Sequence, residues 1–250
     1  MVEMTLLETR GLVKKYSGRT VVNEVSISVG QRSIVGLLGR NGAGKTTTFR
    51  MTVGMIVPDG GSVIFEGHDV TKMPMYKRAR LGMGYLSQEP SVFQRLSVRD
   101  NLLAILETMS LAKGERLDKA NELIERFELK EVAESQARFL SGGERRKLEI
   151  ARAMVTNPSL ILLDEPFSGV DPIAVEELQD EIRRLIASGV SILITDHNVE
   201  RTLEVADKAY ILDHGKVIAA GAPSDIIKNE LVRKSYLGHT FKGDEFDDLD

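Results

Sequence analysis

The chain has 250 residues, of which 42% are hydrophobic and 28% are charged, so it can bury a sizeable core in one large domain. It contains no cysteine, which excludes disulfides, thiolate zinc sites and cysteine catalysis and fits a reducing compartment. Its formal net charge of −4 provides no overall basic surface, so we predict that nucleic acid is not a partner.

The sequence does not predict a membrane-spanning helix. Such a helix needs roughly 18 consecutive apolar residues, and the most apolar segment, residues 160–163, is only long enough for a strand. The first residues also lack the basic region and following apolar stretch of a secretory signal. We therefore expect a cytoplasmic protein.

The first part of the chain predicts strands with one helix among them. The predicted strands, each rich in β-branched or apolar residues, span 6–15, 20–29, 33–38, 62–65 and 83–87. A turn between the first two makes them an antiparallel pair. A glycine-rich loop follows the third strand and leads into a helix predicted over residues 45–56.

Beyond residue 88 the pattern becomes helical and then alternates again. Apolar residues at helical spacing predict helices over 97–109, 116–128 and 142–155. Strand and helix then alternate, with strands predicted over 159–163, 190–195, 209–212 and 216–219 and helices over 173–188 and 199–206. The last two strands flank Asp213-His214-Gly215, which is typical of a hairpin turn.

These elements predict a single α/β domain over residues 1–240. Its core consists of residues 1–88 and 158–240, and a helical subdomain occupies about 89–157. Residues 241–250 form an acidic tail that we expect to be solvated.

A complete P-loop lies between a predicted strand and a predicted helix. It consists of Gly39, Arg40, Asn41, Gly42, Ala43, Gly44, Lys45 and Thr46, and Thr47 follows it in the predicted nucleotide site. Glycines let the backbone wrap closely around phosphate oxygens, and the positive end of the helix favours the anion. Lys45 should therefore bind the β- and γ-phosphates and Thr46 a magnesium ion. A simple glycine turn would require neither residue.

A predicted buried strand ends in two carboxylates, Asp164 and Glu165. A P-loop enzyme needs a second metal ligand and a group that positions the attacking water, so we assign Asp164 to magnesium. Because consecutive strand residues point to opposite faces, Glu165 is free to face the γ-phosphate as general base. Alone, the acidic pair could equally cap a helix; beside a complete P-loop, the catalytic interpretation is favoured.

The segment Leu140-Ser141-Gly142-Gly143-Glu144 predicts a second anion site. Ser141 and Glu144 have the spacing of a capping box, and the two glycines expose the N–H groups where the helix begins. A plain cap would not require both glycines. The segment resembles the signature of the ABC (ATP-binding cassette) ATPases without a mismatch. In that family each nucleotide lies between the P-loop of one copy and this segment of the other.

The resemblance to ABC ATPases covers essentially the whole chain. It implies a P-loop NTPase (RecA-like) core with an antiparallel β subdomain and an inserted α-helical subdomain, hydrolysis of ATP with Mg²⁺, and a homodimer. By the same resemblance Tyr16 stacks on adenine, Gln88 senses the magnesium ion and the attacking water, His197 contacts the γ-phosphate, and Asp171 contacts the partner subunit at the nucleotide. Without the resemblance, a lone tyrosine, glutamine or histidine is more often structural.

Cassettes on separate chains mostly drive membrane transporters, so the resemblance also implies two transmembrane permease subunits. By the same resemblance the protein is peripheral to the membrane and reaches it through these partners. They are expected to dock near Glu89–Phe93, although Phe93 could equally belong to the core of the insert. Arg40 and Ser87 depart from the family pattern, which usually has proline at both positions. We nevertheless expect hydrolysis to be retained, because Arg40 removes no required N–H donor.

Several segments resemble the ATPases of lipopolysaccharide exporters, namely 84–89, 96–98, 141–150, 167–172, 195–199 and 236–238. This resemblance implies that the chain drives extraction of lipopolysaccharide from the inner membrane. The alternative is a branched-chain amino-acid importer, whose ATPase has a similar Tyr-Leu-Gly near its carboxyl end. A DNA-repair ATPase of the family would need an inserted coiled coil or a zinc module, and neither fits a chain of 250 residues without cysteine. A non-catalytic nucleotide-binding regulator would not need Lys45, Asp164, Glu165 and His197 together.

Overall fold

The structure, a computed structural model, describes residues 5–89, 91–169, 172–233 and 236, with the side chains of residues 172 and 173 left out of that description. Several of the expectations above therefore lie wholly or partly outside the described residues. These are the partner contact of Asp171, the acidic tail at 241–250, the Tyr-Leu-Gly segment beyond Tyr236, residue 90 of the docking segment, and residues 170 and 171 of the segment 167–172.

The described residues form two sheets and helices that pack around them. The strands are β1 (Thr5–Tyr16), β2 (Arg19–Gly30), β3 (Ile34–Leu38), β4 (Gly60–Phe65), β5 (His68–Asp69), β6 (Met83–Leu86), β7 (Leu160–Asp164), β8 (Ser191–Asp196), β9 (Lys208–Asp213) and β10 (Lys216–Gly221). The helices are α1 (Lys45–Val53), α2 (Met75–Arg80), α3 (Val98–Leu106), α4 (Lys113–Arg126), α5 (Gly142–Met154), α6 (Pro172–Ala187), α7 (Val199–Leu203), α8 (Pro223–Lys228) and α9 (Glu230–Val232). Short 3-10 helices span Lys130–Val132 and Ala137–Phe139. Within this part of the chain we find no helix with the length and apolar character needed to cross a bilayer.

One sheet is antiparallel, with strand order β2-β1-β4-β5, and the other has the order β10-β9-β3-β8-β7-β6. In the second sheet the five strands from β9 to β6 run parallel, and β10 pairs antiparallel with β9. The carboxyl ends of parallel strands lie at one edge of a sheet, where α/β proteins bind their ligands. The loops after β3, β6, β7 and β8 therefore lie close together.

Alternating side chains of β7 pack into two different hydrophobic cores. Ile161 and Leu163 belong to a core shared with α3 to α6, so the three helices of the insert pack on one face of the parallel sheet. Leu160 and Leu162 belong to a core shared with α1 and the antiparallel sheet. Asp164, the next residue in the second series, therefore continues toward the face of α1.

Several helices differ from the sequence prediction. Helix α1 ends at Val53 instead of residue 56, because Gly54 adopts a left-handed conformation with φ of 88° and its N–H caps the helix. Helices α3 and α7 each end three residues early, and α4 begins at Lys113 instead of residue 116. The short helices α2, α8 and α9 were not predicted.

Arg78 on α2 is a buried cation, only 1% exposed. Its guanidinium donates to the carbonyls of Met51 (2.9 Å) and Thr52 (2.6 Å) at the end of α1, and to those of Thr71 (3.0 Å) and Met73 (2.9 Å). Burial lowers the pKa of Arg78 to about 10, so it stays charged at neutral pH. A cation is favourable at a helix carboxyl end, and Arg78 ties α1 to the segment that follows β5.

Candidate active site

Strand register brings the predicted chemical groups to one end of the parallel sheet. Leu38, the last residue of β3, is paired with Asp196 of β8, and Thr195 is paired with Asp164 of β7. Leu86 of β6 is paired with Leu163 of the same β7. The P-loop, the two carboxylates, His197 and Gln88 therefore follow four strands that end side by side.

The P-loop has the shape of a cradle for an anion. Gly44 has φ of 104°, and a Cβ there would lie 2.8 Å from the carbonyl oxygen of Val21, so only glycine fits. Gly42 has φ of 83°, and a Cβ there would meet no atom of the described residues within 4 Å. Helix α1 then begins at Lys45 without a side-chain cap and with no acidic residue in its first turn. Its first N–H groups therefore point into the open space of the loop.

Lys45 extends into this cradle from the first turn of α1. Its ammonium group donates to the carbonyls of Gly39 (2.6 Å) and Arg40 (3.3 Å). Burial lowers the pKa of Lys45, while the carboxylates of Glu165, Asp196 and Asp164 act in the opposite direction. The side chain is only 4% exposed, so its charge acts in an environment with little water to screen it.

Asp164 is held in a fixed orientation at the end of β7. Its Oδ1 accepts a 2.7 Å hydrogen bond from the Thr195 hydroxyl, and its Oδ2 lies 3.5 Å from the Tyr85 hydroxyl. The carboxylate is buried, at 7% exposure. Sequence reasoning missed Thr195 and Tyr85 as its partners, because only the register of β6, β7 and β8 brings these residues together.

Glu165 is turned away from the strand direction. Its φ of 46° is left-handed, which is uncommon for a residue with a side chain and costs on the order of 1–3 kcal/mol. Its orientation therefore comes from this turn and not from strand alternation, which was the reason given by the sequence prediction. The turn is fixed by the Glu165 N–H, which donates to the Thr195 carbonyl at 2.7 Å.

Two predicted residues, Gln88 and His197, meet at the carboxylate of Glu165, itself predicted. The Gln88 side-chain amide donates to Glu165 Oε2 at 3.3 Å, and His197 Nδ1 lies 3.4 Å from the same oxygen. Gln88 and His197 are exposed and Glu165 is partly buried, so this group faces solvent at the edge of the cradle. We call Gln88, Glu165 and His197 the catalytic cluster.

Asp196 anchors the base of the catalytic cluster and was not assigned a role from the sequence. Its carboxylate accepts from the N–H groups of Asn198 (2.8 Å) and Phe167 (3.1 Å), and it lies 3.5 Å from His197 Nδ1. Burial raises the pKa of Asp196, and the two backbone bonds oppose that shift. The signal in the sequence was its position, directly after the predicted apolar strand 190–195 and directly before His197.

The capping box at the start of α5 is present. The Ser141 N–H donates to Glu144 Oε2 (2.8 Å), and the Glu144 N–H donates to Ser141 Oγ (3.3 Å). The side-chain bond from Ser141 lowers the pKa of Glu144. We call Ser141–Glu144 the signature segment. Ser141 and Gly142 are exposed, so the start of this helix is accessible.

The signature segment borders a cleft of about 680 Å³ between α5 and α6. Gln88, Asp164 and Glu165 line the same cleft, as do Gly142 and Gly143. Among the described residues, its walls include none from 39–47. Within one chain the cleft thus joins the signature segment to the catalytic cluster, whereas the phosphate cradle opens elsewhere.

Tyr16 and Arg40 are exposed, and Ser87 is partly buried. Tyr16 is 45% exposed at the end of β1, and Lys14 Nζ lies 5.7 Å from the centre of its ring. Arg40 projects outward, while its carbonyl accepts from the Ala43 N–H inside the loop (3.1 Å). Ser87 donates to the Glu89 carbonyl at 2.7 Å.

Phe93 is 47% exposed, so it is not a buried residue of the insert's core. The Arg152 guanidinium lies 4.7 Å from the centre of its ring and donates to the Ser91 carbonyl. Glu149 of α5 is buried and accepts from the Ser91 N–H at 3.3 Å. The segment after Gln88 is thereby attached to the helix that carries the signature segment.

Comparison with known proteins identifies relatives over nearly the full length. The family model described as "ABC transporter" matches residues 22–168. The lipopolysaccharide export system ATP-binding protein LptB of Acidithiobacillus ferridurans is 50% identical over 237 residues, 95% of this chain and 98% of that protein. LptB of Escherichia coli K12 is 50% identical over 240 residues, 96% and 100% of the two chains.

Among solved structures, the ADP conformation of MJ1267, an ATP-binding cassette of an ABC transporter, superposes with a TM-score of 0.85 and 27% identity. The match covers 94% of this chain and 99% of that one. A nucleotide-free cassette from an ABC transporter gives a TM-score of 0.83 at 28% identity, with coverage of 94% and 98%. The predicted fold class is thereby confirmed.

Proposed function

Because the chain belongs to the ABC transporter family of ATPases, we propose that it is the ATP-hydrolysing motor subunit of a lipopolysaccharide exporter. The proposal that the chain hydrolyses ATP rests mainly on one observation. Gln88 and His197 both lie close to the Glu165 carboxylate, beside the phosphate cradle that contains Lys45. The exporter assignment rests on the LptB relatives, which are about half identical over nearly their whole length.

The cradle favours a nucleoside triphosphate over a smaller anion. The N–H groups of Gly42, Gly44, Lys45 and Thr46 and the buried ammonium of Lys45 provide several donors close together, which suits a chain of phosphates. Thr46 and Thr47, each with a hydroxyl, belong to the first turn of α1. Tyr16 supplies an exposed aromatic surface for the adenine base.

Mg²⁺ is the metal that fits the oxygen donors of this site. The Thr46 hydroxyl, the Asp164 carboxylate and the Gln88 side-chain carbonyl are hard oxygen ligands, and Mg²⁺ is usually bound by one or two protein groups together with substrate phosphates. Among the described residues, no cluster of three or more His, Cys, Asp and Glu side chains could hold a metal ion unaided. When bound, the ion neutralises charge on the β- and γ-phosphates.

The catalytic cluster divides the work of hydrolysis among its members. Glu165 accepts a proton from the attacking water, because its carboxylate is the group on which the other two converge. Gln88 orients that water through its side-chain amide. We assign His197 to contact with the γ-phosphate. The Asp196 carboxylate, 3.5 Å from His197 Nδ1, holds the ring in place.

The signature segment requires a second copy of the chain. Ser141 and Gly142 are exposed, and Gly142 and Gly143 line the cleft instead of the phosphate cradle of their own chain. A symmetric dimer places them against the nucleotide bound by the partner, which completes two composite sites. Asp171 would contact the partner beside each nucleotide. ATP then closes the dimer, and hydrolysis reopens it.

Two membrane-spanning subunits would convert this closure into transport. We place their docking surface near Glu89–Phe93, where the exposed ring of Phe93 lies against Arg152 of α5. Ser91 is hydrogen-bonded to Arg152 and Glu149, which attaches this surface to α5. The protein would thus lie on the cytoplasmic face of the inner membrane, held there by its partners. A branched-chain amino-acid importer is not favoured, because the relatives reported above are named for lipopolysaccharide export.

Glu165→Gln tests the hydrolytic assignment. The amide keeps the shape of the side chain but cannot accept a proton, so we expect steady-state phosphate release to fall by about 10²–10⁴-fold while ATP binding persists. The matched control is Glu125→Gln. Glu125 is an exposed residue of α4, so this variant should retain normal turnover. Turnover by Glu165→Gln within threefold of the unmodified protein would refute the assignment of Glu165 as the general base.

A further inference from the structure

Phe139 is the most exposed large hydrophobic side chain among the described residues, at 72%. It ends the 3-10 helix Ala137–Phe139 and stands two positions before Ser141. We propose that Phe139, together with Arg138, forms a wall against the nucleoside of the nucleotide bound to a second copy of the chain. This inference rests on the dimer of the proposed function and adds a nucleoside contact to its composite site.

Covering the exposed ring of Phe139 with another surface would be favourable, because it would remove apolar area from water. The Arg138 guanidinium lies 4.6 Å from the ring centre, which shields one side and adds a positive charge. The residue that follows, Leu140, is buried at 5% exposure and fixes the segment to the insert. The ring is thus presented outward by a fixed backbone.

The position of Phe139 restricts what can cover it. Two residues of extended chain span about 7 Å, so the ring lies within one nucleotide length of the N–H groups of the signature segment. A phosphate group bound at those N–H groups brings its own nucleoside into that range. In the proposed dimer the phosphates come from the partner's P-loop, so the nucleoside beside Phe139 is the one on the partner.

Tyr16 of one copy and Phe139 of the other can cover opposite sides of the same nucleoside. Tyr16 presents a ring with Lys14 5.7 Å from its centre, and Phe139 presents a ring with Arg138 beside it. A base stacked on Tyr16 leaves its other side open, and a second aromatic group contributes further stacking on either base or ribose. The two nearby cations suit a ligand that carries a triphosphate. The nucleoside site is therefore incomplete without the second copy.

The test uses Glu165→Gln as the parent, because this variant should hold ATP without turnover. The dimerisation midpoint in ATP is measured by analytical ultracentrifugation, and ATP binding to dilute monomer is measured by equilibrium titration. Adding Phe139→Ala should raise the dimerisation midpoint roughly tenfold or more, as the loss of one ring's burial per site implies. The affinity of the dilute monomer for ATP should remain unchanged, because the monomer's own nucleotide site contains Tyr16 and not Phe139. Phe139→Tyr should restore the parental midpoint.

Tyr76→Ala is the matched control, since Tyr76 is 58% exposed with Arg80 5.9 Å from its ring but lies on α2. It should leave the dimerisation midpoint unchanged. A midpoint for Phe139→Ala within twofold of the parent, or an equal loss of monomer affinity, would overturn the nucleoside wall while leaving the dimer intact. Failure of the parent itself to dimerise with ATP would overturn the proposed dimer and, with it, this wall.

Discussion

Replacement of Arg78 should destabilise the protein more than any surface charge change on the same helix. Arg78→Met keeps much of the side-chain volume but removes four hydrogen bonds of 2.6–3.0 Å to carbonyls, two of them buried and two partly buried. An unsatisfied buried carbonyl costs about 1–3 kcal/mol. Relief from burying a charge offsets part of the sum, because the pKa of Arg78 is lowered to about 10. We expect a net loss of about 3–5 kcal/mol.

The change is measured as the midpoint of thermal unfolding. For a domain of this size 1 kcal/mol corresponds to about 2–4 °C, so the midpoint should fall by roughly 10 °C. Arg78→Lys keeps the charge but has only one nitrogen, and it should lose about half as much. The control is Arg80→Met, an exposed residue on the same helix, which should change stability by less than about 0.5 kcal/mol. Equal midpoints for Arg78→Met and Arg80→Met would refute the role assigned to Arg78.

Two further predictions concern the site and its neighbouring cleft. Lys45→Ala should weaken ATP binding about tenfold to hundredfold in an equilibrium titration, because a buried charged donor to phosphate is lost; unchanged affinity would contradict this. Burial raises the pKa of Glu181, which lines the cleft, and Arg184 opposes the shift. Ionised Glu181 therefore costs stability at pH 7, so Glu181→Gln should raise the unfolding midpoint there. That advantage should shrink as the pH falls through the raised pKa and the native carboxyl becomes protonated. An advantage independent of pH would show that ionisation is not its cause.

The sequence was sufficient for the motifs because their chemistry depends on local spacing. The P-loop is such a case, since glycine positions and Lys45 are set by the loop itself. The capping box of Ser141 and Glu144 is another, because both residues belong to one helical turn. The order of strands and helices was likewise predictable from hydrophobic periodicity.

Contacts between distant segments could not be predicted in this way. Thr195 holds Asp164 only because β7 and β8 are paired in one particular register. Arg78 reaches the end of α1 only after α2 has packed against it. The prediction for Glu165 had the wrong physical reason: the residue turns by a left-handed backbone conformation, which strand alternation does not contain.

The exporter assignment is tested most directly by identifying the membrane subunits that bind this chain. Tagged Glu165→Gln protein is captured with ATP from detergent-solubilised native membranes, and the copurifying chains are identified by mass spectrometry, with Lys45→Ala as the control for nucleotide-dependent association. We predict paired membrane-spanning chains together with a component of the lipopolysaccharide bridge. Recovery of amino-acid importer permeases instead would contradict the exporter assignment while leaving the ATPase chemistry in place.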